Sequence, residues 1–172
     1  MQDWIKDKSN SVQAFDKIKD TILPKLITGK LVSIEMTESE VLAWMDIYSG
    51  IDLIRKDETG LQGVAWRAQW CKAWDSFTIR MTRQTGTKTE LEKRLWAIQN
   101  GYFYPAFTIQ AYFDNTVDMN CLSVGIIRTK DLFQAYQNTP DIFQVRRSDN
   151  EFIYVNWSDL KGKVKVWRSN FL

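Results

Sequence analysis

Three strand-like segments follow one another between Gly50 and Thr82, and only short connections join them. The segments are IDLIRKD (51–57), LQGVAWRAQW (61–70) and FTIRMTR (77–83). Short connections favour antiparallel neighbours, because a parallel pair needs a crossover of a dozen or more residues. We therefore predict a three-stranded antiparallel meander that runs into a helix near Thr87.

Two capping boxes, each a threonine followed three residues later by a glutamate, predict helices on either side of this meander. The pairs are Thr37 with Glu40 and Thr87 with Glu90. The first helix, TESEVLAWMDIYSG, ends at Gly50, and the second, TKTELEKRLWAIQNG, ends at Gly101. Because a strand over residues 104–113 follows, the middle of the chain has the order αβββαβ.

The rest of the chain adds an amphipathic helix before this region and mostly strands after it. The predicted segments are a helix over 12–23 that ends or kinks at Pro24, a strand over 30–36, strands over 121–128, 143–146, 152–157 and 164–167, and a helix over 130–136. The prediction is one α/β (α+β) domain over residues 1–172. It has a central mixed sheet, a core of about residues 38–113 flanked by helices, and a β-rich C-terminal extension of about residues 118–172.

Composition limits the chemistry more than it identifies it. The 172 residues contain no histidine, which excludes histidine triads, HExxH zinc sites and HNH-type nuclease sites. The net charge of +2 excludes a strongly acidic mimic of DNA and leaves any DNA contact to local clusters. No signal peptide or membrane span is present, and the cysteines have no CxxC spacing, so we expect a cytoplasmic protein with reduced thiols.

The order αβββαβ resembles the core of the PD-(D/E)XK nuclease-like superfamily. In that family an acidic residue begins one strand of the meander, a D/E-x-K motif lies on the next strand, and a helix acid often joins them. Here MDIYSGIDLI resembles the first part, with Asp52 as the strand acid and Asp46 as the helix acid. GVAWRAQ resembles the second strand, with Ala65 in place of the acid and Arg67 in place of the lysine.

The resemblance implies a DNA-acting hydrolase of phage or mobile-element type, with Mg²⁺ as its cofactor. It implies Asp52 and Asp46 as metal ligands, and Asp52, Arg67 and Gln69 as catalytic residues. Strand alternation places Ala65, Arg67 and Gln69 on one face. Because alanine binds no metal and a guanidinium stays protonated, the active chemistry would need a second oxygen ligand.

A second basic set extends over the third strand, the turn after it and the following helix. We predict Arg80, Arg83, Lys88 and Lys93 as nucleic-acid-binding residues. A helix N-terminus beside Gly86 would suit a phosphate. The basic pieces near the C-terminus could extend this track, with Trp157 and Trp167 interleaved.

Several alternatives stay open at this point. Asp52 could form a solvated cross-strand pair with Arg67, and Asp46 could simply be exposed. Glu90 has a capping role first. The protein could be a non-catalytic accessory or inhibitory module that binds nucleic acid or a protein partner, or a small-ligand domain whose tryptophans line a pocket. The sequence gives no oligomeric state.

Overall fold

Four α-helices and nine β-strands lie in the parts of the chain that the computed structural model describes, residues 2–35, 38–81, 89–146 and 151–169. The helices are α1 (Gln2–Ile18), α2 (Glu40–Trp44, continued by a π-helical turn, Met45–Ser49), α3 (Glu90–Asn100) and α4 (Thr129–Asn138). The strands are β1 (Lys30–Ser33), β2 (Leu53–Asp57), β3 (Gly60–Trp70), β4 (Ser76–Arg80), β5 (Phe107–Phe113), β6 (Cys121–Arg128), β7 (Gln144–Arg146), β8 (Phe152–Asn156) and β9 (Lys165–Arg168). Among these described helices, none combines the length and the hydropathy that crossing a lipid bilayer requires.

A six-stranded mixed sheet in the order β1-β2-β3-β5-β6-β9 forms the centre of the molecule. The pair β3 and β5 is parallel, and every other neighbouring pair in this sheet is antiparallel. The predicted α/β (α+β) class with a central mixed sheet is therefore confirmed. Strands β6 and β9, from the C-terminal third, complete the same sheet.

The predicted meander is wrong in its third strand. Strand β4 does not pair with β3 but joins β8 and β7 in a separate three-stranded sheet. After Trp70, Cys71 and Asp75 have positive φ angles of 81° and 47°, so the chain turns away from the central sheet. The free edge of β3 is taken by β5 instead, and the antiparallel meander consists of β1, β2 and β3.

The order αβββαβ is nevertheless present around the central sheet, carried by α1, β1, β2, β3, α3 and β5. Helix α2 and strand β4 are inserted into this order. Asp52 then directly precedes the second strand, and Ala65 and Arg67 lie in the third.

Each face of the central sheet is covered by its own hydrophobic core. On one face α1 packs against β3, where the rings of Phe15 and Trp66 meet edge to face at 5.8 Å. On the other face the three-stranded sheet and α4 pack against Tyr112 and Ile127. Trp157 is buried in this second core, so it does not interleave with a basic surface track as the sequence suggested, whereas Trp167 packs against the first core and is only partly buried.

Helix α3 begins two residues later than its predicted capping box. Its N-cap is Thr89, whose hydroxyl accepts the Glu92 N–H at 3.2 Å while the Glu92 carboxylate accepts the Thr89 N–H at 2.7 Å. The predicted partner Thr87 lies outside the described residues, and so does Thr37, the predicted cap of α2. The helix ends at Gly101 with a φ of +68°, as predicted.

Candidate functional site

A charged cavity lies on the second face of the central sheet, over β3 and β5, where β4, α3 and the π-helical turn meet. Among the described residues, four cationic and three acidic side chains line it. They are Arg67, Arg80, Lys93, Arg94, Asp46, Asp52 and Glu90. Its volume of about 160 Å³ has room for a phosphate group and several water molecules.

The cavity brings together most of the residues that the sequence singled out. Asp46, Asp52, Arg67, Arg80 and Lys93 all line it. Gln69 lines a neighbouring groove instead, because β3 continues past the cavity. The predicted residues Arg83 and Lys88 lie outside the described part of the chain.

Asp52 is half-buried and is tied to β3 rather than paired with a cation. Its backbone N–H donates to the Val64 carbonyl at 3.0 Å, and its Oδ2 accepts the Trp66 N–H at 2.7 Å. The cross-strand ion pair with Arg67 that the sequence left open is absent from the described contacts of either residue. Burial raises the pKa of Asp52 from 3.8 to about 8, and the Trp66 hydrogen bond opposes that shift. Asp52 is therefore largely protonated at neutral pH.

Arg67 pairs with Glu90 at the wall of the cavity. Its Nη2 lies 2.7 Å from Glu90 Oε2, and its Nη1 donates to the Thr78 carbonyl and hydroxyl at 3.0 and 2.9 Å. Arg67 lies on the second face of β3, so its guanidinium points towards α3 and β4. This position lets Arg67 meet an anion from one side while Glu90 fixes it from the other.

Glu90 is the residue that the sequence analysis assigned wrongly. It does not cap α3; its Oε2 also accepts the Arg80 N–H at 3.3 Å, and its Oε1 lies 3.4 Å from Arg94 Nη2. Burial opposes its ionisation, but the two guanidinium groups and the Arg80 N–H outweigh burial and hold the pKa of Glu90 below its ordinary value. The signal was present, since TKTELE also contains Thr89 followed three residues later by Glu92, and that pairing leaves Glu90 available.

Arg94 connects α3 with the loop that leads into Asp52. Its side chain is buried, and its Nη2 donates to the Gly50 carbonyl at 2.9 Å. Its Nη1 is buried with no hydrogen-bond partner among the described residues. Gly50 has a φ of +63°, and a Cβ there would come within 2.9 Å of Arg94 Nη2, so the close approach needs glycine.

Asp46 and Lys93 lie at the rim of the cavity. Asp46 Oδ2 pairs with Lys8 Nζ at 2.9 Å, and Lys93 Nζ donates to the Ile47 carbonyl at 2.6 Å. Behind Asp46, burial raises the pKa of Glu35, with the Lys8 ammonium opposing the shift. The rim therefore carries both signs of charge, whereas the interior is dominated by cations once Asp52 holds its proton.

Within the described ranges, no three histidine, cysteine, aspartate or glutamate side chains are grouped closely enough to enclose an ion. Mg²⁺ is commonly held by one or two carboxylates together with water and substrate phosphate. Asp52 and Glu90 are the carboxyl groups inside this cavity that could serve as such ligands, but Asp52 would first have to lose its proton, and both oxygens of Glu90 face guanidinium groups.

A larger groove adjoins the cavity beyond Thr78, which lines both. We call it the aromatic groove. It has a volume of about 470 Å³ and is lined chiefly by Gln69, Trp74, Thr78, Arg146, Phe152 and Tyr154. Of the predicted catalytic residues it contains Gln69, whose Nε2 donates to Thr78 Oγ1 at 3.2 Å.

Comparisons of the chain with protein-family models, with curated proteins and with solved structures find no match. The cavity and the aromatic groove adjoin each other on the second face of the central sheet.

Proposed function

We propose that the charged cavity binds a phosphate group of DNA and that the protein is a divergent, Mg²⁺-dependent nuclease of the PD-(D/E)XK-like type. The observation that carries the proposal is that Asp52, Glu90 and Arg67 line one cavity, with Arg80 and Lys93 beside them. Cationic side chains can neutralise the charge of a phosphodiester, and carboxylate oxygens could hold the Mg²⁺ that would stabilise it further.

Glu90 supports an active site in spite of the alanine at position 65. Position 65 is an alanine, but α3 brings a carboxylate to the same cavity, 2.7 Å from Arg67. In this proposal Glu90 would supply the second oxygen ligand. The element order around the central sheet gives the same support, since Asp52 directly precedes β2 and Arg67 lies in β3, the next strand of the meander.

The size of the cavity favours part of a polymer over a whole small ligand. Pockets that enclose drug-sized ligands measure about 300–1,000 Å³, whereas this cavity measures about 160 Å³. A phosphate group fits such a space, and the rest of the chain would remain outside. The charged cavity by itself is therefore too small to enclose a whole drug-sized ligand.

The roles follow from the charges. Arg67 and Arg80 would hold the non-bridging oxygens, and Arg67 cannot exchange a proton because a guanidinium stays charged. Glu90 keeps Arg67 oriented through their ion pair. Asp52 must lose its proton to act as a ligand, and Lys93 lies where an amine could orient a water molecule. Mg²⁺, when bound, would supply Lewis-acid stabilisation of the phosphate.

A cleavage assay tests the proposal. With Mg²⁺ present, the wild type should cut plasmid or oligonucleotide DNA, and Asp52→Asn and Glu90→Gln should each lower the rate by roughly a hundredfold or more. Glu58→Gln, an exposed carboxyl in the β2–β3 turn, is the matched control and should retain activity. Cleavage that is equal in the wild type and Asp52→Asn, or that survives chelation of Mg²⁺, would contradict the proposal.

The second candidate is a non-catalytic module that binds DNA or a protein partner. It is favoured by the protonation of Asp52 and by the full engagement of Glu90 with Arg67, Arg94 and the Arg80 N–H. In this case the wild type would bind DNA with an affinity that falls as salt rises, and it would cut at no Mg²⁺ concentration.

We place either function in the cytoplasm. Cys71 and Cys121 are both free thiols, and free thiols persist in a reducing compartment. A protein partner remains part of the second candidate only.

A further inference from the structure

The aromatic groove is built from rings and cations in alternation. The Trp74 ring has Lys72 Nζ at 4.8 Å and the Arg146 guanidinium at 5.4 Å from its centroid. The Phe152 ring has the guanidinium groups of Arg80 and Arg67 at 5.5 and 5.7 Å. Guanidinium planes and aromatic faces both stack on nucleobases, and the cations also meet the phosphates between them.

The groove is open at Trp74, which lies on its rim. Trp74 is 50% exposed, whereas Trp66 and Trp157 are buried in the two cores. A second ring with a polar end, Tyr154, lines the same groove, and the amides of Gln69 and Asn156 line it as well. Faces for stacking and amides for base edges are therefore found in one place.

The groove adjoins the charged cavity. Thr78 lines both, and Arg67 and Arg80 line the cavity while lying over the ring of Phe152 in the groove. At about 470 Å³ the groove is of the size that takes a small organic group, whereas the cavity takes only a phosphate. A nucleotide that placed its phosphate in the cavity would have its neighbouring base at the groove.

From these observations we infer that the aromatic groove binds an unpaired nucleobase next to the phosphate in the cavity, so that the substrate class is single-stranded DNA or a single-stranded flap. In a duplex the base faces are stacked on one another and are closed to protein rings, whereas every base of a single strand offers a face. This inference deepens the proposed function and rests on it for the occupancy of the cavity.

Competition binding with the divalent ions chelated tests the inference separately from cleavage. The probe is a fluorescent single strand of roughly 15 nucleotides, within the site sizes of about 4–16 nucleotides known for stacking proteins, and the competitor is the same sequence as a duplex. The wild type should prefer the single strand. Trp74→Ala should weaken single-strand binding by roughly tenfold and change duplex binding less.

Two variants keep this result interpretable. Trp74→Phe retains a stacking ring and should restore most of the affinity, which a fold defect would not permit. Trp96→Ala removes a tryptophan of similar exposure, 46%, that lies on α3 outside the groove, and it should leave the preference unchanged.

Three outcomes decide the matter. A preference for the single strand that depends on the ring at position 74 supports the inference. If the duplex binds as tightly as the single strand or more tightly, the inference is overturned. The same holds if Trp74→Ala and Trp96→Ala change binding equally. Neither result contradicts the nuclease proposal. Binding of neither DNA at low salt overturns both.

Discussion

At the scale of single residues, the site depends on two carboxyl groups with opposite pKa shifts. Burial raises the pKa of Asp52 to about 8, whereas Arg67 and Arg94 overcome burial and lower the pKa of Glu90. At neutral pH Asp52 is therefore largely protonated and Glu90 is ionised, while Asp46, the third acidic residue of the cavity, lies at its rim. Such pairs, pushed apart by their surroundings, are typical of functional sites.

Asp52 should make the protein less stable as the pH rises. Between about pH 4 and pH 8 the folded state keeps a proton on Asp52 that the unfolded state has lost, so the free energy of unfolding falls with pH. Asp52→Asn removes this dependence. Chemical denaturation measures the free energy of unfolding of Asp52→Asn and of the wild type at each pH. The difference in favour of Asp52→Asn should grow by about 1 kcal/mol per pH unit across that window and stay constant above it.

The control for this prediction is Glu58→Gln, whose pH dependence should follow that of the wild type. Identical pH dependence in Asp52→Asn and the wild type would mean that the carboxyl is hydrated in solution.

The ion pair of Arg67 and Glu90 should couple their mutational effects. Glu90→Gln leaves Arg67 and Arg94 without their shared counter-charge. We expect the free energy of unfolding to fall by about 2 kcal/mol, which is less than for a fully buried pair because this pair is partly exposed. Arg67→Met combined with Glu90→Gln should cost clearly less than the sum of the single changes.

Arg168→Met gives the comparison, because Arg168 pairs with Asp75 at a similar distance of 2.8 Å but is 54% exposed at its side chain. Arg168→Met should lower the free energy of unfolding by less than about 1 kcal/mol. Strict additivity of the Arg67 and Glu90 changes would show that the pair carries no coupling energy.

At the scale of elements, α3 decides which acid reaches the cavity. Because its capping box uses Thr89 and Glu92, Glu90 falls in the first turn and can face Arg67. If α3 began two residues earlier, with Thr87 as its N-cap, Glu90 would be the glutamate of the capping box.

Removing this cap should therefore weaken both the helix and the site. Thr89→Ala loses the hydroxyl that accepts the Glu92 N–H, which should cost about 1 kcal/mol in unfolding free energy and lower DNA cleavage through Glu90. Thr89→Ser is the matched control, because it keeps a hydroxyl that can accept the Glu92 N–H. Equal losses in the two variants would contradict the role given to the Thr89 cap.

The elements also show what the sequence could and could not predict. Alternation and short turns identified β2 and β3, and with them Asp52 and Arg67, because these signals are local. The partner of β4 was missed, since β8 is distant in sequence and no local pattern specifies a long-range pair. Glu90 was misassigned because two overlapping capping patterns compete over six residues, and only the packed helix selects one.

At the scale of the whole molecule, the three-stranded sheet and α4 form a second layer, which packs closely against the central sheet at Gly125. A Cβ at this position in β6 would lie 2.3 Å from the ring of Trp157, which follows β8 in the second layer. The two layers therefore meet with no room for a methyl group, and they should unfold together.

Gly125→Ala should consequently cost about 3 kcal/mol or more in unfolding free energy, because a rigid, buried ring cannot move aside. Gly63→Ala should also be costly, because its Cβ would lie 2.5 Å from Cδ1 and 2.7 Å from Cγ1 of the fully buried Ile51. A Gly125→Ala protein as stable as the wild type would mean that the layers are more loosely packed than described.

The central proposal is that one cavity uses a pair of carboxyl groups and several cations to bind a phosphate. The most direct measurement is an anomalous difference map from crystals grown with Mn²⁺, a stand-in for Mg²⁺ at oxygen ligands, and a short single-stranded oligonucleotide. We predict a Mn²⁺ peak between the carboxyl groups of Asp52 and Glu90, with a phosphate in contact with Arg67. A cavity that contains only water, while Mn²⁺ and DNA are ordered elsewhere on the surface, would contradict it.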